Sequence, residues 1–406
     1  MMLQPLMCAV IALAAPLPQA AALAPEAARI DVVIDRAIAE ERIVGAVVLV
    51  MRDGVLVYHR AAGLADREAV VPMREDSIFR LASLTKPIVS ATLMRLVEDG
   101  RVSLDDPVTR WLPDFQPRLP NGTTPVITLR HLVTHTSGLS YRFIEAPGGA
   151  YDRLNISDGL DQPGLSLAEN LDRLDQAPLT YAPGASWRYS LSIDVLGGVI
   201  AQVAGKSLPE VVAESVTQPL GMSDTGFTVV DPERLVTPYV DGPLRPVAME
   251  AETVAPLGEG LVRFAPGRAF DAGSYPSGGG GMVGTASDIA RFLEAVRTGG
   301  APILKSATVQ AMMTDQVGPK AQTQGPGWGF GYGWAVLDDP AEAQTPQTQG
   351  TIQWGGAYGH SWFVDPVRRL TVVALTNTTF EGMSGAFPKE IRDAVYGAAT
   401  GPTPPP

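Results

Sequence analysis

A serine and a lysine stand three residues apart in Phe79-Arg80-Leu81-Ala82-Ser83-Leu84-Thr85-Lys86-Pro87. A serine hydroxyl is a weak nucleophile at neutral pH unless a neighbouring group takes its proton. A lysine in a dry cleft could take it, or could hold a second base in place. The residues that follow, Ile88, Val89, Leu93, Met94, Leu96 and Val97, recur at helical spacing and close at Gly100. Residues three apart on a helix share a face, with Cβ atoms about 5–6 Å apart, so an ammonium at 86 reaches a hydroxyl at 83. Pro87 fits only the first turn, where its missing N–H costs little. Ser83 is therefore expected at the helix N-terminus, where the dipole favours developing negative charge. The spacing alone is weak evidence. Five lysines and twenty serines in 406 residues give about 0.25 such pairs by chance. A capping serine beside a solvated lysine has the same signature, so the rest of the chain must decide.

The length suits two structural domains or one large one, with ample core. At 45% hydrophobic and 18% charged residues, the composition is that of a globular chain. The net charge is −12 and the pI near 4.9, with no basic stripe, which argues against a nucleic-acid partner. The one cysteine, Cys8, allows no intrachain disulfide and no thiolate metal site. Residues 1–24 carry no charged side chain; an apolar run, Leu6 to Leu13, precedes Ala20-Ala21-Ala22. This pattern predicts a cleaved signal peptide and a periplasmic or secreted protein, against the alternative of a cytoplasmic extension. Pro5, Pro16 and Pro18 oppose a stable membrane span there.

The elements that must position Ser83 follow from periodicity. Residues 27–41 read as an amphipathic helix. Val44–Met51 and Val55–Tyr58 flank Arg52-Asp53-Gly54 as a hairpin. Thr128 caps a short helix that carries His131 and His135. A metallopeptidase helix would need glutamate at 132, where Leu132 stands, so zinc is not expected. The turn Asp105-Asp106-Pro107 reads as a turn former, and Ser166 with Glu169 as a capping box. Residues 141–180 are polar and rich in glycine and proline, as a lid over a cleft can be. Residues 189–216 are expected to be helical and 231–280 irregular, ending in the glycine run 277–281. Late strands are expected at 329–336, 360–364 and 370–377, and a last helix at 386–398. The expected organisation is residues 25–115 with 285–406 as a sheet domain, interrupted by an all-helical insertion over 116–284.

Three further stretches join the serine and lysine: Tyr189 in Trp187-Arg188-Tyr189-Ser190-Leu191, the glycine run, and Trp354-Gly355-Gly356-Ala357-Tyr358-Gly359-His360. Together, and in this order, they resemble the serine β-lactamase and penicillin-binding-protein superfamily. The class C β-lactamases and the family VIII carboxylesterases are the nearest in pattern, and the resemblance runs over nearly all of residues 40–395. It implies an α/β fold, an antiparallel sheet with helices on both faces and an inserted helical domain. It implies Ser83 as acylated nucleophile, Lys86 as its activator and Tyr189 as general base. A tyrosine, of pKa about 10, can act so only if a cation holds its phenolate. The oxyanion hole would be the N–H groups of Ser83 and Ala357. No metal and no cofactor are implied.

Two departures separate the chain from the β-lactamases of that superfamily. Their asparagine two positions after the tyrosine is here Leu191. Their cationic third motif is here Trp354-Gly355-Gly356, as is typical of the esterases. Both changes remove groups that recognise a carboxylated lactam and leave the acyl-transfer groups in place. The expectation is a carboxylesterase on small-molecule, short-chain esters, with Trp354, Gly355, Gly356, Leu191 and His360 along the substrate. A class C-type β-lactamase, a D-alanyl-D-alanine carboxypeptidase and a non-catalytic binding protein are the alternatives. A Ser-His-Asp triad through His360 is disfavoured, because no Gly-x-Ser-x-Gly occurs.

Overall fold

The computed structural model describes residues 25–397 except 259 and 319–320, so the expected signal peptide and Cys8 lie outside the described residues. Strands β1 (Gly45–Arg52), β2 (Val55–Asp66) and β3 (Val71–Pro72) open the chain. A two-stranded ribbon joins β4 (Phe79–Arg80) to β5 (Val283–Gly284). Then come β6 (Trp328–Phe330), β7 (Ala335–Leu337), β8 (Ile352–Gly356), β9 (His360–Asp365) and β10 (Leu370–Thr376). Eight of these strands form one antiparallel sheet in the order β6-β7-β8-β9-β10-β1-β2-β3. The seam between the two ends of the chain is β10 on β1, in register from Ala46↔Thr376 to Arg52↔Leu370.

Alternation along the central strands explains the layers. Ala46, Val48, Val50, Val372 and Ala374 face one side, against helices α1 (Pro25–Ala39) and, last in the chain, Ala386–Tyr396. Val47, Leu49, Val373 and Leu375 face the other, against α2 (Thr85–Glu98) and helix Ala286–Arg297. A strand buried on both faces cannot slip by one residue without inverting both sets, which fixes the register. Each fully buried Val or Leu contributes roughly 1.5–3 kcal/mol before entropy is counted. The β1–β2 turn is the expected one: Asp53 (φ 55°) and Gly54 (φ 78°) are both left-handed, as a type I′ turn requires.

Between β4 and β5 the chain is helix-rich, with α3 (Leu129–Val133), α4 (Leu167–Asp175) and α5 (Ser192–Ala204). Three details depart from the sequence expectations. The helix expected over 189–216 stops at Gly205 (φ 66°), and a second one starts at Leu208. The supposedly irregular 231–280 stretch contains a hairpin of Thr253–Leu257 and Gly260–Phe264, and a shorter one at Tyr239–Val240 and Val247–Ala248. The insertion is thus not all-helical. The strand expected over 329–336 is a hairpin, because the chain reverses through Gly331 and Gly333, where a Cβ would strike Met312 O and Ser90.

Candidate active site

The nucleophile corner is built by β4, which hands the chain to a short 3-10 turn, Ala82–Leu84, and then to α2. Its frame is β5: Arg80 pairs with Val283, and the Leu81 N–H donates to Met282 O (2.8 Å). Ala82 has φ +46°, a region crowded for any residue with a Cβ. Ser83 Oγ accepts from the Tyr189 hydroxyl at 2.6 Å and from Lys86 Nζ at 3.1 Å. Lys86 is 1% exposed. Its ammonium also donates to Gly279 O (2.7 Å) and stands 4.5 Å from the Tyr189 ring centroid and 5.2 Å from that of Tyr141. The glycine run is what brings that carbonyl in. A Cβ on Gly279 would lie 2.2 Å from Asp194 Oδ2 and 2.9 Å from the Tyr141 hydroxyl. Asp194, on α5, accepts from Ser277 Oγ (2.6 Å); burial raises its carboxyl pKa, while Ser277 and the charge of Lys86 hold it down.

Tyr189 sits in the approach to α5 and is held there by His135. The Ser190 N–H donates to His135 Nδ1 (3.2 Å) and the Arg188 N–H to His135 O (3.0 Å), so both neighbours of the tyrosine are tied to one residue. His135 adopts φ +56° and packs its ring 4.9 Å from that of Tyr189. Burial, and next the charge of Lys86, push its imidazole pKa well down, so it is neutral. His131 does a different job: its Nδ1 accepts from the Thr128 N–H and closes the helix cap. The two histidines four apart are therefore occupied separately. His135 and Tyr141 are the residues that sequence reasoning missed. A left-handed histidine has no local signature, and Tyr141 is brought in from 48 residues before Tyr189 by folding alone.

Among the described residues the N–H groups of Ser83 and Ala357 donate to no protein acceptor. Both residues line the same cavity, of about 590 Å3, with Tyr141, Phe143, Trp187 and Trp354 on its walls. Two free N–H donors beside one nucleophile suit an oxyanion. Trp354 lies 5.2 Å from the Tyr189 ring and 5.3 Å from Phe330, ring centre to ring centre. Gly355 lines the cavity; Gly356 does not. A Cβ at 356 would lie 2.5 Å from Leu81 O, so glycine there lets β8 approach the nucleophile corner.

Two expected substrate contacts are corrected. Leu191 is fully buried at the foot of α5, with its N–H on Ser140 O (3.2 Å), because the backbone turns its side chain into the core. His360 is 1% exposed and its Nε2 donates to Arg80 O (2.7 Å), edge-on to Phe79. Burial pushes its pKa down to about 4. It ties β9 to the strand that leads into Ser83, and its Nε2 is not available to Ser83 as a triad base.

Known proteins resemble this chain in sequence and fold. Esterase EstB of Burkholderia gladioli is 56% identical over 373 residues, covering 91% of this chain and 95% of its own. The solved structure of EstCE1, a hydrolase with promiscuous acyltransferase activity, is 50% identical, with a TM-score of 0.90 over 92% of this chain and 98% of its own. The lovastatin esterase of Penicillium rubens is 28% identical over 84% of this chain and 90% of its own. The Beta-lactamase family model matches residues 30–395, and the chain belongs to that family.

Proposed function

We infer that the protein is a serine carboxylesterase that works through an acyl-enzyme, with Ser83, Tyr189 and Lys86 as its catalytic groups. The observation that carries this is Ser83 Oγ held between the Tyr189 hydroxyl (2.6 Å) and Lys86 Nζ (3.1 Å), beside a neutral wall of Trp354 and Gly355. The names of EstB and EstCE1, an esterase and a hydrolase, support the same reading. The Lys86 ammonium, 4.5 Å from the Tyr189 ring centre, favours negative charge on the Tyr189 oxygen, and once that oxygen has given up its own proton it takes the Ser83 proton along the short bond. Oγ then bonds to the ester carbonyl carbon, and the oxyanion is met by the N–H groups of Ser83 and Ala357. The intermediate collapses, the C–O bond to the alcohol breaks, and Tyr189 returns the proton to the departing oxygen. Water repeats the sequence on the acyl-enzyme, releases the acid and restores Ser83.

The substrate is a small, uncharged ester. Trp354, on the cavity wall beside Tyr189, cannot pair with a substrate carboxylate, and one charge-assisted hydrogen bond is worth roughly 1.5–3 kcal/mol. The test is kcat/KM for a p-nitrophenyl acyl ester against a chromogenic cephalosporin. The ester is expected to be turned over far faster; equal or greater efficiency on the cephalosporin would return the chain to lactam hydrolysis. Export is part of the proposal, on the uncharged apolar stretch before residue 25. Mass spectrometry of the native protein is expected to find a start near Leu23, and an intact Met1 would refute it. Among the described residues no single helix is long and apolar enough to cross a membrane.

A further inference from the structure

A second cavity, of about 310 Å3, shares the Leu160 wall and the glycine-rich turn with the substrate cavity. Arg80, Arg268 and Tyr358 line it. Arg80 donates Nε to Pro266 O (2.9 Å) and Nη1 to Val236 O (3.0 Å), and its Nη2 has no partner among the described residues. Arg268 is fixed by the carbonyls of Asp161 (2.8 Å) and Tyr275 (2.8 Å). Neither guanidinium has a carboxylate within ion-pair distance among the described residues. Burial lowers the Arg80 pKa, and the Tyr358 phenol stands beside it. The same phenol is pushed up to about 12 by burial, against the pull of both arginines. One carboxylate reaches the wall, Asp271, and it accepts from Ser274 Oγ (2.7 Å) and the Gly273 N–H (2.9 Å). Two fixed cations and a phenol hydroxyl thus line one small cavity in which, among the described residues, Asp271 is the one carboxylate on the wall; its charge acts on Arg268 without an ion pair, and Arg80 has none. The guanidiniums are flanked by aromatic rings, Phe270 at 5.9 Å from Arg80 and Tyr275 at 4.8 Å from Arg268.

We propose that this cavity is a second binding site, for a small organic carboxylate held by Arg80, Arg268 and Tyr358. A planar guanidinium matches a carboxylate with two parallel N–H bonds, and such charge-assisted bonds are strongest where water is scarce. The volume is at the lower end for small-molecule sites, roughly 300–1,000 Å3, which suits one ring or a short chain. The position matters for catalysis. The Arg80 carbonyl receives His360, and Met282, on the same wall, donates its N–H to Thr85 Oγ1 (3.1 Å) at the start of α2. A bound carboxylate therefore bears on both strands that frame Ser83. The acid released by ester hydrolysis belongs to this ligand class; that identification rests on the esterase reading, whereas the binding does not.

Benzoate and its neutral counterpart benzyl alcohol are the probes, titrated calorimetrically into protein whose Ser83 carries a bulky phosphonate. Saturable binding of benzoate and none of benzyl alcohol are expected. Arg268→Gln and Arg80→Gln should each weaken benzoate by roughly tenfold or more. Tyr358→Phe should weaken it less and leave the fold intact. Arg80→Gln removes two buried backbone contacts; should it fail to fold, the other two variants decide. Benzoate that does not saturate, or that binds all variants equally, would overturn the proposal. Failure of the phosphonate to label Ser83 would count against the esterase reading instead, and the variants would still decide this one.

Discussion

Around Ser83 Oγ, polar groups from three distant parts of the chain converge: Lys86 from α2, Tyr189 from the approach to α5, and the Gly279 carbonyl from the glycine run. A few ångströms away, the Trp354 side of the cavity offers aromatic faces, and the two polar or nearby positions expected to meet substrate, His360 and Leu191, are turned into the core. The first region is defined by hydrogen-bond lengths and by strained backbone at Ala82 and His135. The second is defined by shape and by the aromatic faces around Trp354, with Lys389 and Arg392 elsewhere on the same cavity wall. The contrast teaches that bond-making and substrate choice are carried by different elements of this fold.

The strongest way to break that contrast is at Oγ itself. Ser83→Ala is expected to lower kcat by about 10⁴-fold or more, the scale seen when a nucleophile is removed. A serine-directed phosphonate should label only Ser83 in the native protein, and labelling of another serine at a comparable rate would sink the assignment. Tyr189→Phe deletes one oxygen and little volume. Circular dichroism should be unchanged while kcat falls at least ~10²-fold, the usual size of general acid–base effects. Trp354→Lys sharpens the other half of the contrast. It should raise kcat/KM on a carboxylated cephalosporin by roughly ten- to hundredfold and lower it on neutral esters. An unmoved ratio would mean that substrate choice does not reside at β8.

The smallest effect on rate is expected at His360, whose role is to hold β9 against the Arg80 carbonyl. His360→Ala should cost less activity than Tyr189→Phe and should lower stability at pH 7. The pH dependence identifies the cause. A buried imidazole with pKa about 4 is neutral when folded, whereas the unfolded chain binds its proton near pH 6.5. The unfolded state therefore gains protons first as pH falls, and stability is lost between about 6.5 and about 4, up to about 3 kcal/mol. Asp158, raised to about 7 chiefly by burial, acts in the opposite direction, since its folded carboxyl is protonated first. It contributes equally to wild type and variant and cancels in their difference. Denaturant titrations should show the gap between wild type and His360→Ala narrowing from pH 7 to pH 4, and a constant gap would contradict a neutral buried imidazole.

The serine, lysine and tyrosine were legible because helical spacing and motif order survive in a linear text. So were β1, β2 and their turn, where Asp53-Gly54 and the run of valines agree. What failed was direction. Nothing in Trp187–Leu191 tells that the chain rotates between Tyr189, which faces the cavity, and Leu191, which faces the core. His360 follows a cavity-lining glycine and alanine, yet the turn at Gly359 (φ 114°) points it inward. The hairpin Thr253–Phe264 was missed because Pro256 interrupts a strand that lies in a two-stranded ribbon, where a missing N–H is tolerated. The second cavity was invisible for the same reason as His135: its walls come from residues 80, 268 and 358, which only folding brings together.

The left-handed Ala82 has a consequence for how such a chain drifts over generations. Glycine at 82 would relieve crowding worth roughly 1–2 kcal/mol. It would also return freedom to the unfolded chain, at roughly 0.5–1 kcal/mol. The net is a gain of under about 1 kcal/mol, so in a chain of this size the melting temperature of Ala82→Gly should rise by no more than a few degrees. The range of angles open to the residue before Ser83 would widen all the same, and Oγ would meet the ester carbonyl less often at the right distance. A screen for thermal tolerance would pass over this position; a screen for turnover would not.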